Sequence, residues 1–499
     1  MATVGYIGSV SSSMLQSILD MRQRLDDLQR QFGTGQKSQD YAGLGIDRGI
    51  SLSLRSQLSA IGGYDAAMST TNIRLTLAQN ALTGIDNAGH TVKNAAIESS
   101  FSFDGTGQSS QQKAAYSQLD LILGLMNTQA GDRYLFSGKS VDQPPVVTAE
   151  TLVNGDGIRA GLKQIISERK QADLGASGLG RVTVSNPVAG TVRIAEDGGP
   201  FGFKLAAVSS TLSNATVGAI GGVPPQVDVQ LAGQPNAGET LSYSFTLPDG
   251  TTQNLKLTAT TASPPGANQF TIGANATATA ANISAALGTS LGQLASTSLV
   301  AASAMAASND FFNTAGGGAP QRVNGPPFDS ATSLVNGTSV NTVTWYTGDD
   351  GSDPARGTAA VKIDPLVTAN YGMRANEDAL RSAVQSIAAF AASTFSASDP
   401  NAGNAYTALG QRVSAALGGT PGQQKISDIE SEIATAQTAF AAAKTRHQQT
   451  SSQLQDLLNS IETVPQEQVG AQILSLQTNL QASLQTTALL AKMSLVNFI

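Results

Sequence analysis

Met14-Leu15-Gln16-Ser17-Ile18-Leu19-Asp20-Met21-Arg22-Gln23-Arg24-Leu25-Asp26-Asp27-Leu28-Gln29-Arg30-Gln31-Phe32 places Met14, Ile18, Met21, Leu25, Leu28 and Phe32 alternately four and three residues apart. That rhythm lays a narrow apolar seam along one side of a helix, the geometry a partner helix needs. The far end of the chain reads the same way. Ile426, Ile429, Ile433, Ala436, Phe440 and Ala443, then Leu454, Leu457, Ile461 and Val464, keep one 3–4 rhythm over a helix at 424–463. After Pro465 a last helix at 467–495 carries Val469, Ile473, Leu476, Leu480 and Leu484. A chain whose two extremities both call for helical partners is built to assemble.

Working inward, Gly33-Thr34-Gly35 stops the first helix, expected over 9–32, and a glycine-rich loop leads into a second at 46–99. There Leu54, Ile61, Met68, Leu75 and Leu82 recur every seventh residue, a coiled-coil period. A third helix is expected at 109–130, with Leu119, Ile122, Leu123 and Met126 on one side, then a β-hairpin near 132–147. From about 175 to 360 the texture turns to strands. Leu241, Tyr243, Phe245 and Leu247, then Asp249-Gly250, then Leu255 and Leu257, form the strongest short-range hairpin signal. One short helix is expected inside this region, at 277–287. Helical patterning returns with Leu380, Val384, Ile387 and Phe390, and again with Tyr406, Leu409 and Val413.

The expected fold is mainly α with an inserted β-rich domain: long antiparallel helices from both chain ends form coiled-coil inner domains beneath an outer β module. Residues 1–45 with 465–499 make a terminal coiled-coil assembly domain. Residues 46–165 with 365–464 make a helical bundle, and 166–364 an outer β-rich variable domain. One-sided helices are stable only when the stripe is packed on something. The outermost pair has the fewest internal partners and is expected to be disordered in the free monomer and to fold when subunits stack. Deleting 175–360 is expected to spare assembly, and truncating 467–499 to destroy it.

Composition narrows the function. Over 499 residues the net charge is −7 and Lys and Arg are scattered, which leaves no electrostatic footprint for nucleic acid. Charged residues make up 13%, about half the usual share, so the polar surface is built from Ser, Thr, Gln and Asn. With no cysteine there is no disulfide framework, thiol nucleophile or Cys-bound metal. Met1-Ala2-Thr3-Val4-Gly5-Tyr6-Ile7-Gly8 has no basic or apolar leader pattern. No apolar run approaches the roughly 18 residues of a membrane span. A route outward without a cleaved leader is expected, with no membrane insertion.

Catalytic and cofactor motifs do not emerge. Gly43-Leu44-Gly45-Ile46-Asp47-Arg48-Gly49 has the wrong spacing and no preceding strand for a nucleotide fingerprint, and reads as a helix-entry turn. Gly35-Gln36-Lys37-Ser38 lacks the upstream glycine of a phosphate loop. Asp349, Asp350 and Asp353 resemble a calcium loop by composition only and read as a solvated turn. His447 falls on the seam of 424–463 as a register-setting polar residue, and Trp345 and Tyr346 read as strand core. No catalytic, cofactor-binding or metal-ligating residue is assigned, and no enzyme activity is expected.

Several stretches carry a family resemblance. Leu28-Gln29-Arg30-Gln31-Phe32-Gly33-Thr34-Gly35, and Asp40-Tyr41-Ala42-Gly43-Leu44-Gly45-Ile46 leading into Leu54-Arg55-Ser56-Gln57-Leu58, resemble the N-terminal signature of bacterial flagellins, with Tyr41 where that family carries a second acidic residue. Gly131-Asp132-Arg133-Tyr134-Leu135-Phe136-Ser137-Gly138 resembles a motif of the hook–filament junction (hook-associated) branch of the family. Tyr371-Gly372-Met373-Arg374-Ala375-Asn376-Glu377, Ile461-Glu462 and the ending Met493-Ser494-Leu495-Val496-Asn497-Phe498-Ile499 are similar to segments of the same group.

The resemblance covers roughly 1–160 and 365–499 and leaves the middle unmatched. It implies a structural subunit of the extracellular flagellar axis, exported through the flagellar type III channel with an export chaperone. Its partners would be further copies or other axial proteins, namely hook-associated proteins and flagellin. The residues expected to form the assembly interface are Met14, Ile18, Leu25, Leu28 and Phe32, packed against Leu476, Leu480, Leu484, Leu495 and Phe498. The junction role is preferred; the alternative is a filament flagellin serving motility, and a more distant one a secreted adhesin-like binding protein.

Overall fold

The computed structural model describes residues 3–313 and 318–496, with side chains in the terminal helices described from Ser12 to Leu489 and at Lys492. The fold is mixed: about half helix, with several small sheets. The helices are α1 (Thr3–Thr34), α2 (Arg48–Ala96), α3 (Ser110–Met126), α4 (Ala149–Asn154), α5 (Leu162–Leu174), α6 (Ala276–Leu294), α7 (Val300–Phe312), α8 (Asp378–Ala392), α9 (Ala402–Leu417), α10 (Ile426–Glu462) and α11 (Gln466–Val496). The strands are β1 (Gln129–Ala130), β2 (Arg133–Tyr134), β3 (Val182–Ser185), β4 (Thr191–Glu196), β5 (Lys204–Ser210), β6 (Ala215–Val217), β7 (Gln226–Leu231), β8 (Thr240–Thr246), β9 (Thr252–Thr260), β10 (Gln269–Thr271), β11 (Gln321–Val323), β12 (Leu334–Asn336), β13 (Ala360–Asp364) and β14 (Val367–Asn370). Among the described residues no helix is long and apolar enough to cross a membrane.

The chain divides into two compact units. The first comprises Met1–Thr70, Lys362–Thr368 and Thr438–Ile499; the second comprises Thr71–Val361 and Ala369–Gln437.

In the second unit two four-stranded sheets, ordered β3-β4-β7-β6 and β10-β9-β8-β5, share one core with α6. Alternation explains the strands: Leu241, Tyr243, Phe245 and Leu247 are buried, with Leu255 and Leu257 across the hairpin. Asp249 shapes its turn by accepting hydrogen bonds from Thr251 N (3.0 Å) and Oγ1 (2.6 Å), while Gly250 takes φ +81°, where a side chain would be strained. Asp249 also accepts from Arg412 Nε of α9 at 2.7 Å, which ties the hairpin tip to the helices.

The helical half of this unit packs α3 on α8, α5 on α7, and α7 on both α8 and α9. α3 begins with a capping box, Ser109 with Gln112, and Gln112 Nε2 then donates to the carbonyls of Phe390 and Ser393 at 2.8 Å each. Leu119, Ile122, Leu123 and Met126 face the core as expected.

The middle region holds more helix than its sequence announced. The helix expected at 277–287 runs on to Leu294, passes through a π turn at Ala295–Leu299 and continues as α7. α6 is buried along one stripe, through Ile283, Leu287 and Leu291, whereas α7 is buried on nearly every side, down to Phe311 and Phe312. Phe312 meets the fully buried Trp345 at 5.0 Å between ring centroids. The 166–364 segment is therefore not a separable β module, because α7 and Trp345 help to build the helical core.

The hairpin expected near 132–147 is smaller and lies earlier. β1 and β2 are two residues each, paired antiparallel around Gly131-Asp132. Leu135 N extends the pairing by donating to Thr128 O (3.1 Å), and from Phe136 the chain turns to a different partner.

Candidate assembly interface

The first unit carries the residues the sequence nominates. α1 and α11 lie against each other and run antiparallel: the position of Gly470 is beside the Phe32 ring, and Arg24, Asp27, Leu28 and Gln31 line one groove with Gln472, Ser475, Leu476 and Asn479. Ile18 and Val469 are buried, and Met14, Met21, Leu25, Leu28, Ile473, Leu476 and Leu480 are half-buried. Phe32 and Leu484 stay 47% and 45% exposed. The Leu495 side chain and Phe498 lie outside the described residues. This pairing occurs within one chain, so a second copy is not needed to bring the two ends together.

Other leucines on both helices are left uncovered. Leu15 and Leu19 on α1 are 57% and 55% exposed, and Leu474 and Leu489 on α11 are 67% and 62% exposed. The 3–4 seam passes these leucines by, which is why periodicity alone did not nominate them. The signal was their adjacency to it: two helices in contact cover one strip each and leave any other in water.

The ends of the helix pair are pinned where the two inter-helix connections meet. Lys37 N donates to Glu462 O (2.7 Å) and Val464 N to Gly35 O (3.0 Å), with Gln36 bridged to Thr463. Asp40 caps the short turn Tyr41–Asp47 by accepting from Gly43 N at 2.9 Å. Gly45 there adopts φ +61° and ψ −124°, a conformation for glycine, so the run read as a helix-entry turn forms one. Glu462 receives Arg55 through Nε (2.9 Å) and Nη2 (2.5 Å), and Ser51 Oγ (2.5 Å). The Arg55 hydrogen bond leads in holding its carboxyl below the usual range.

Higher on α10 the seam is Ile429, Ile433, Ala436, Phe440, Ala443 and His447, all buried. It then passes through Leu454 and Leu458. Leu457, expected on the seam, is 48% exposed, because the covered positions run His447, Ser451, Leu454 and Leu458, in steps of four, three and four, which leaves 457 one residue off the seam. His447 Nδ1 lies 2.7 Å from Asp65 Oδ1, and Nε2 lies 3.0 Å from Asp364 Oδ1.

In the second unit, two stretches that carried the resemblance meet each other. Gly138 N donates to Met373 O (2.9 Å) and Ala375 N to Phe136 O (2.8 Å), which stitches 136–138 to 373–375. Arg374, nearly buried, donates to Asp349 Oδ2 (2.7 Å) and to the carbonyls of Gly351 (2.8 Å) and Asp353 (2.6 Å). Burial works against the Asp349 carboxylate, but Arg374 together with the Gly351 and Lys139 amides outweighs it and its pKa is lowered. Asp353 pairs with Lys139. The acidic loop is an exposed turn over 350–354, as its composition suggested, and it also receives Arg374 on Asp349 and Lys139 on Asp353.

No family model and no curated protein matches this chain. The residues themselves therefore carry the functional reading. The arrangement offers two helix faces with unsatisfied apolar area, held at a fixed mutual register by a hydrogen-bonded joint.

Proposed function

We propose that the chain is a structural subunit of the bacterial flagellum that self-assembles through its N- and C-terminal helices. In this reading the terminal helices α1 and α11 are the elements that pack against neighbouring copies. The observation that supports it is that Leu15, Leu19, Leu474 and Leu489 are left in water on an α1–α11 pair already joined in one chain. Fully burying one leucine is worth about 1.5–3 kcal/mol, so a neighbouring copy that covers four gains several. The subunit leaves the cell through the flagellar export channel with a chaperone and joins the extracellular axis.

Within that class the hook–filament junction role is favoured, on the 131–138 motif and its lock onto 371–377. A filament flagellin is the second reading, favoured by the length of 499 residues. Electron micrographs of a strain lacking the chain separate them: hooks without filaments, with flagellin still exported, indicate the junction role, and a bacterium whose filament mass is this chain indicates flagellin. Leu15→Asp with Leu19→Asp tests the class. Both side chains are largely exposed, so the purified monomer should keep its helix content by circular dichroism while polymer sedimentation falls at least tenfold. Undiminished polymerisation by that variant would count against the scheme.

A further inference from the structure

We propose that His447 is a proton-operated latch that holds the 362–368 turn against α2 and α10 and releases it in alkali. The imidazole is 4% exposed and lies between carboxylates from two distant parts of the chain, Asp65 of α2 and Asp364 of β13, 382 and 83 residues away. An ionised carboxylate only accepts hydrogen bonds. Both ring nitrogens must then carry a hydrogen, so the imidazolium satisfies the site and a neutral ring satisfies half of it.

The groups facing the ring are few. Asp65 and the Tyr64 ring, 6.1 Å away between centroids, come from α2; Asp364 comes from β13; Arg446 of α10 binds the other oxygen of Asp364 at 2.5 Å. Burial opposes the charged ring, but the hydrogen bonds to Asp65 and Asp364 outweigh it and raise the His447 pKa above its ordinary value of about 6.5.

The sign follows from linkage. A group whose pKa is higher in the closed state gives its full stabilisation below about pH 6.5 and loses it as pH climbs to the raised value, about tenfold in the closed-to-open ratio per pH unit. Above that value the dependence is flat. The proton lost is the one on Nε2, since Asp364 keeps Arg446 as a cation while Asp65 holds the shorter contact to the ring. Arg446 is 55% exposed, and a pair so wetted holds the turn weakly.

Two measurements on the full chain test this. The sequence has only two histidines, so ¹⁵N-histidine NMR with a His90→Gln variant assigns the signals. His447 should be doubly protonated at pH 7. Amide exchange of 362–368 between pH 6 and 9.5, corrected for intrinsic base catalysis, should lose protection by about tenfold per unit across the window and then level off. His447→Gln should flatten that profile, and Asp364→Asn should bring the His447 titration back toward its ordinary value. A neutral single tautomer of His447 at pH 7 overturns the latch, as does a 362–368 exchange profile in His447→Gln that matches the native one.

Discussion

Leu25→Asp combined with Leu28→Asp is expected to give a soluble chain whose α1 has left α11 and which cannot polymerise. Both leucines sit half-buried on the face of α1 that meets α11, and Leu28 lines the same groove as Leu476. Losing two half-covered leucines costs about 2–3 kcal/mol of burial. The new carboxylates would also extend Asp26-Asp27 into four consecutive acidic residues, and would need water where α11 now lies. A solitary helix of this kind is only marginally stable in water. Circular dichroism should therefore lose much of the α1 signal, and amide exchange at 12–34 should become fast. This separates the variant from Leu15→Asp with Leu19→Asp, in which helix content survives and only polymerisation fails. Normal filament growth by Leu25→Asp/Leu28→Asp would remove the terminal helices from any account of assembly.

The second large effect is expected from deleting 175–360. The strand-like texture of that region suggested a removable outer module whose loss assembly would tolerate. Yet α7 lies inside those boundaries and packs on α5, α8 and α9. Phe311, Phe312 and Trp345 are fully buried, and Ser308 Oγ donates to Gln385 O of α8 at 2.8 Å. Emptying a site of one buried aromatic costs about 3–5 kcal/mol, so losing three approaches the whole stability of a domain, about 5–15 kcal/mol. The deleted chain should aggregate or melt without a cooperative transition. A cooperative melt within a few degrees of the parent, with normal polymerisation, would show that α8 and α9 do not depend on α7.

What the sequence disclosed follows its periodicities. The β8–β9 hairpin, α9 and the heptads of α2 were legible because one face of each is more deeply buried than the other, which leaves a period of two or of about 3.6, and α8 because Leu380, Val384, Ile387 and Phe390 keep the helical spacing although only Asp378 of that helix is exposed. α7 was not. Val300-Ala301-Ala302-Ser303-Ala304-Met305-Ala306-Ala307 is covered almost all round, so there is no polar face to set the rhythm, and alanine offers little contrast. The α1 and α11 seams were legible as seams. That they pair inside one chain was not, since periodicity names a sticky face but not what sticks to it. The partners of His447 were invisible for a related reason: Asp65 and Asp364 are unremarkable acids until the fold gathers them. The meeting of 136–138 with 373–375 belongs to the same class, two local patterns whose reason is each other.

The π turn at Ala295–Leu299 has a mechanical consequence. A π turn takes up one residue more than an α turn, and one residue is about 100° of rotation around the axis. The continuous rod from Ala276 to Phe312 is thereby re-indexed midway: its first half is keyed to the sheets and its second half to α5, α8 and α9. Torque applied to the sheets would travel along a single shaft into the helices, with no slack linker at this crossing to absorb it.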